Sequence, residues 1–172
     1  MIPPERIARV QELLRDIHHV AIATVNDDGS PHNSPVFMAF DDQLHGYWSS
    51  HPDNLHSRNI ARTHKVSLVI FDSRAGHGGL FVEATATVIE DPAQLKRAYN
   101  LLKSLKEQQY GFMGDIEQYR GRGQRLYVAK PTRFWLNMSE KDAHGAVIRD
   151  TRYEITPDDL TPSFRPPSRN LI

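Results

Sequence analysis

The sequence predicts a mainly β fold with helices (α+β), a small antiparallel β-barrel with helical decoration. Two observations carry this reading. Short stretches with a period of two recur along the chain between turn residues, and the first three follow one another as a meander. Three other stretches repeat their apolar residues at helical spacing. Closing such a sheet into a barrel removes the exposed edges that several short strands would otherwise present.

The first helix spans residues 4–17, with Ile7, Val10, Leu14 and Ile17 as one apolar stripe and Glu5, Arg6, Glu12 and Arg15 facing water. Residues 19–25 alternate Val20, Ile22 and Thr24 with Ala21, Ala23 and Val25, and the small residues on one face suit a tightly curved sheet buried on both sides. Asn26-Asp27-Asp28-Gly29-Ser30 is a turn. Residues 32–40 form the second strand, where Pro35 removes a ladder donor and marks an edge, a bulge or a place where something other than a strand docks. The third strand, 44–50, ends in Trp48-Ser49-Ser50, and a short helix over 54–63 leads to a β-branched strand over 65–72. The Gly-rich loop 74–79 lacks a full phosphate-loop pattern, and a further strand covers 80–90. Asp91-Pro92 is an N-cap with proline at the first helical position, opening a helix to Gln108 whose stripe is Leu95, Ala98, Leu102 and Leu105. Residues 109–123 read as a loop leading into a small basic cluster, Arg120, Arg122 and Arg125. A long strand over 124–137 bends at Pro131, and 146–155 reads as one more strand. Residues 1–160 are expected to form one domain and 161–172 a proline-rich tail, extended or disordered.

Composition removes several function classes. Equal numbers of basic and acidic residues, 21 each, leave no electrostatic footprint for nucleic acid. The absence of cysteine excludes disulfides, thiolate catalysis and Cys-based metal sites. No run approaches the roughly 20 apolar residues that span a bilayer, and Pro3-Pro4-Glu5-Arg6 is not a secretory signal, so a cytoplasmic location is expected. Neither a His-Glu-x-x-His metal motif nor a Gly-x-Ser-x-Gly nucleophile elbow is present, and no metal is expected.

The most informative stretch runs from Gly46 to Ile60: a strand end, two hydroxyls, a turn and a helix start. Pro52 suits a first helical turn, and Ser50, Asp53 or Asn54 can cap it. Free N–H groups at a helix start favour an anion, and Ser49, Ser50, His56, Ser57 and Arg58 add donors, which points to a phosphate. The other reading is an ordinary strand-to-helix turn with a solvated polar face.

Taken in order, Ala23-Thr24-Val25, Ser30-Pro31-His32, Ser34-Pro35-Val36, Tyr47-Trp48-Ser49-Ser50, His56-Ser57-Arg58-Asn59-Ile60, Val66-Ser67-Leu68-Val69-Ile70 and Val82-Glu83-Ala84-Thr85-Ala86 resemble the FMN-binding split-barrel superfamily, which includes pyridoxamine 5′-phosphate oxidase. The resemblance implies a homodimer of six-stranded antiparallel split β-barrels with FMN in a groove between subunits. It implies that Asn33, Ser34, Pro35, Val36, Phe37 and Met38 lie along the isoalloxazine, largely through backbone groups. Trp48 and Ser49 would sit beside the flavin and its phosphate, although Trp48 reads equally as a core aromatic. His56 takes the place of a phosphate-binding lysine, with Ser50, Ser57 and Arg58 near; on a regular helix His56 and Arg58 face opposite ways.

The chain departs from the oxidase pattern at Asn33 for a basic residue, Met38 for a lysine and Gly79 for a glutamine, and Arg133 and Trp135 lack the context of the pyridoxal-binding motif. The expectation is therefore an FMN-dependent oxidoreductase acting on an unidentified small molecule, and not a pyridoxamine phosphate oxidase. Its cofactor carries the electron chemistry, so no catalytic side chain is assigned. The alternatives are a deazaflavin-dependent reductase, with Arg120, Arg122 and Arg125 serving the anionic tail, and a non-catalytic flavin-binding, haem-binding or redox-sensing module.

Overall fold

Period-two alternation decides the strands in the computed structural model, which describes residues 2–74, 78–160, 164 and 166. The strands are β1 (His19–Val25), β2 (Pro31–Phe40), β3 (Gly46–Ser50), β4 (Lys65–Ile70), β5 (Leu80–Val88), β6 (Arg125–Lys141) and β7 (Val147–Ile155). They form one antiparallel sheet in the order β3-β2-β1-β4-β5-β6-β7, and a β3–β6 pairing closes the first six into a barrel. The seventh strand, read from the sequence as one more strand, pairs with the far half of β6 outside that closure.

Inward residues at every second position fill the barrel: Val20 and Ile22, Met38 and Phe40, Trp48, Leu68 and Ile70, Val82, Phe134 and Leu136. Each such large apolar side chain contributes about 1.5–3 kcal/mol by leaving water. The opposite face of β1 and β4, with Ala21, Ala23, Ser67 and Val69, is half-exposed rather than buried. The β6 strand reaches 17 residues because it serves three partners in turn, with Arg125–Ala129 on β3, Tyr127–Leu136 on β5 and Phe134–Lys141 on β7. Its register on β5 slips where Pro131 faces Ala84 and Arg133 faces Glu83, so Thr132 is the extra residue of a β-bulge at the predicted bend.

Helix α1 (Pro4–Asp16) buries Val10, Leu13 and Leu14 in the barrel core, together with Leu160 of the short helix α4 (Pro157–Leu160). Helix α2 (Leu55–Thr63) follows β3 and packs mainly against β1, β2 and β5, ending at His64 in the left-handed conformation, φ 56°. Helix α3 (Pro92–Tyr110) is capped by Asp91, whose carboxylate accepts from Gln94 N–H at 2.7 Å. The stripe expected from sequence, Leu95, Ala98, Leu102 and Leu105, is buried against Ala39, Tyr47, Leu126 and Val128 on the outside of the barrel, a second apolar core. A 3₁₀ turn over Ile116–Tyr119 interrupts the loop that follows. The proline-rich tail lies mostly outside the described residues, but Phe164 is 1% exposed and belongs to the barrel core. No described helix is long and apolar enough to cross a membrane.

Candidate functional site

The barrel is open along one seam. The β2–β3 ladder has only three rungs, Phe40↔Gly46, Ala39↔Tyr47 and Met38↔Trp48, after which β2 continues along β1 and β3 along β6. Met38 N–H donates to His18 O at 2.7 Å, so alternation turns the backbone groups of Phe37, Pro35 and Asn33 the other way, to the open seam. Pro35 has no N–H to leave unsatisfied there.

Opposite that edge, β3 ends at Ser50 and the chain turns into α2. The N-cap, Asn54, makes no capping hydrogen bond to its helix; its side chain donates to Ser50 Oγ at 2.9 Å instead. Ser57 Oγ donates to the same oxygen at 3.0 Å. Ser50 Oγ also meets His56 Nε2 at 2.8 Å and donates to the His51 carbonyl at 3.3 Å. The other ring nitrogen, Nδ1, faces Ser34 Oγ across the seam at 3.3 Å. Ser34 Oγ also meets His32 Nε2 at 2.9 Å. Ser50, His56 and Ser57 are buried, at 4%, 7% and 2% exposure. Burial, and to a lesser degree the neighbouring His32, holds the His56 pKa below its ordinary 6.5, so the ring is neutral at neutral pH.

This cluster fits a phosphate. It offers three hydroxyls, two imidazoles and the uncapped start of a nine-residue helix, with no carboxylate hydrogen-bonded into it among the described residues. A dianion entering it would draw a proton onto His56.

The expected site residues divide into five groups. Ser34, Ser50, His56 and Ser57 come together in the cluster. Asn33, Pro35 and Phe37 lie on the outer face and open edge of β2. Val36, Met38 and Trp48 turn their side chains into the barrel; Met38 and Trp48 are fully buried, and Trp48 stacks on Tyr127 with ring centroids 5.4 Å apart. Their side chains are closed to a ligand in the seam, and the backbone groups of Val36 and Met38 face β1. Arg58 is exposed, and among the described residues its side chain has no hydrogen bond or ion pair, as opposite faces of α2 dictate for positions two apart. Ser49 points outward and accepts from Lys106 Nζ of α3 at 3.0 Å.

Three members were not expected. His32 could have been found, because strand parity puts it on the same face as Ser34. Asn54 is the N-cap by position, and its side chain orients Ser50 rather than capping the helix. Lys106 left no signal, since it follows the apolar stripe of a long helix like any solvated lysine.

The pyridoxamine 5′-phosphate oxidase family model matches residues 7–137, most of the chain and the whole of the seam. The chain belongs to this family. No curated protein matches its sequence. Solved structures similar to it include a Clostridium acetobutylicum protein related to general stress protein 26 of B. subtilis (pyridoxinephosphate oxidase family), 14% identical over 90% of this chain and 97% of that one, TM-score 0.66. General stress protein 26 from Bacillus anthracis is 14% identical over 77% and 93%, TM-score 0.59. An F420 reductase is 21% identical over 71% and 91%, TM-score 0.53. The chain thus has the family's split barrel, a fold that generally binds a flavin.

Proposed function

We propose that this member of the family is an FMN-binding oxidoreductase acting on a small molecule, working as a homodimer with its cofactor at the subunit interface. The observation that carries the reading is the hydroxyl–imidazole cluster of Ser34, Ser50, His56 and Ser57 at the start of α2, beside the open edge of β2. FMN has one phosphate for that cluster and a flat ring for the open edge, and it supplies the electron chemistry when bound. The chain's own residues do the rest. Ser34, Ser50 and Ser57 exchange their present partners for phosphate oxygens and donate to them, His56 supplies a proton-dependent charge, and the free backbone groups of Asn33, Pro35 and Phe37 orient the ring. The dimer is supported by the small, half-exposed outer face Ala21, Ala23, Ser67 and Val69, flanked by Val25 at 48% and Phe71 at 53% exposure.

A deazaflavin is the second reading, favoured by the likeness to an F420 reductase and by Arg125, whose buried Nε has no partner among the described residues. Arg120 is less available, being paired with Glu117 at 2.9 Å.

The deciding experiment is an absorption spectrum of the purified chain before and after incubation with FMN and removal of the unbound fraction. A retained two-band flavin spectrum is expected; a single band at shorter wavelength favours the deazaflavin. Loss of retention in the double variant Ser50→Ala, His56→Ala, with the far-UV circular dichroism unchanged, is the companion result. Unchanged affinity in that variant removes the cluster from the phosphate site.

A further inference from the structure

Lys106 occupies the place where β2 and β3 part. The last rung is Met38↔Trp48, so Phe37 and Ser49 would make the next one. Lys106 bridges these two residues instead, with Nζ donating to Ser49 Oγ at 3.0 Å and lying 5.6 Å from the centroid of the Phe37 ring. Phe37 is the centre of an aromatic group. His18, His19 and Tyr110 have their ring centroids 5.5, 5.7 and 5.6 Å from it, and Tyr110 Oη is 2.7 Å from His19 Nε2.

The amine is half-buried and, among the described residues, has no ion pair with a carboxylate; the adjacent Glu107 is held by Lys103 at 3.6 Å. Burial alone lowers the Lys106 pKa. A cation that is partly desolvated and answered only by a hydroxyl and a ring face is incomplete electrostatically. Its complement is an anion, and the neighbouring ring faces favour a flat one.

We propose that Lys106, with Phe37 and Tyr110, forms a subsite for a planar anion at the mouth of the seam. The inference rests on the flavin-binding reading for its place beside the cofactor. The planar anion has two sources of the same chemistry: the cofactor's own ring once reduced, or an aromatic carboxylate substrate lying over it. A lysine here selects by charge, and the aromatic side chains around it select by shape.

The test compares the full chain with Lys106→Met, which keeps the apolar stem, and Lys106→Arg, which keeps the charge. Benzoate and its neutral analogue benzamide are titrated into each protein, as purified and after loading with FMN, and the midpoint potential of bound FMN is measured by dye-coupled reduction. For a substrate subsite, Lys106→Met weakens benzoate by about tenfold or more, as expected for loss of one charge-assisted hydrogen bond, leaves benzamide unchanged, and Lys106→Arg restores benzoate. For a ring contact, Lys106→Met makes the potential more negative and Lys106→Arg does not. If neither the preference for benzoate nor the potential moves, the subsite is overturned. If FMN is not retained at all, the parent reading falls alone, and the benzoate preference of the purified chain decides this one.

Discussion

Replacing His56 with lysine separates what a neutral ring and a permanent charge do for the same phosphate. The ring sits 2.8 Å from Ser50 Oγ and 3.3 Å from Ser34 Oγ, so a phosphate accepting from those hydroxyls lies within hydrogen-bond reach of it. At about 4 Å, opposite unit charges attract by about 4 kcal/mol in an effective dielectric of ~20. Desolvation offsets part of that, and a charge-assisted hydrogen bond nets about 1.5–3 kcal/mol, or about 10- to 150-fold in Kd. In the free chain the His56 pKa lies below 6.5, because of burial first and His32 second. A bound dianion raises it, so binding takes up a proton in the window between the two values, and affinity falls as pH rises through that window. The second ionisation of the phosphate, near pH 6 in phosphate monoesters, works in the opposite sense. His56→Lys keeps its charge throughout and reports that second effect alone. Titrating FMN by quenching of its fluorescence across the window, the ratio of wild-type Kd to His56→Lys Kd should climb by about 10- to 150-fold from the acid to the alkaline side. A ratio that stays constant with pH would refute the assignment of His56 to the phosphate.

Other expectations concern the ligand-free fold. Burial lowers the pKa of both His18 and His56 below 6.5, so the unfolded chain binds protons that the folded chain refuses. Their contribution to stability is complete above pH 6.5 and is lost as pH falls toward the folded values; a melting temperature that does not drop between about pH 7 and about pH 5 would contradict this. A Cβ at Gly46 would lie 2.6 Å from Met38 Sδ and 3.0 Å from Phe40 Cε1, both in the packed barrel, so Gly46→Ala should cost roughly 1–3 kcal/mol in urea unfolding. Phe164→Ala removes a core ring at 1% exposure and should cost about 3–5 kcal/mol, whereas a dispensable tail would give no change.

The barrel was legible because its signals are local. Val20 and Ile22, Leu68 and Ile70, and the α3 stripe each declare a buried face by spacing alone. The β3–β6 closure joins residues 75 to 83 positions apart and leaves no periodic trace. Trp48 illustrates the limit. Its neighbours suggested a place near a ligand, and strand parity, which also puts Ser50 and Gly46 on its face, turned the indole into the core. The site was half legible for the same reason. Ser50, His56 and Ser57 lie within eight residues of one another, and a turn brings them together. Ser34 and Lys106 reach the seam through sheet pairing and through a helix docked on the outside, and neither event is written in the spacing around them.

Pro35 carries a consequence for the life of the chain before any ligand arrives. An open strand edge is an invitation to a second chain, and β2 presents one along the seam. A residue without an N–H interrupts the row of donors that an incoming strand would pair with, so the edge cannot be extended as a regular ladder. The same substitution of carbon for hydrogen that keeps the seam from zipping shut therefore guards nascent molecules against edge-to-edge aggregation.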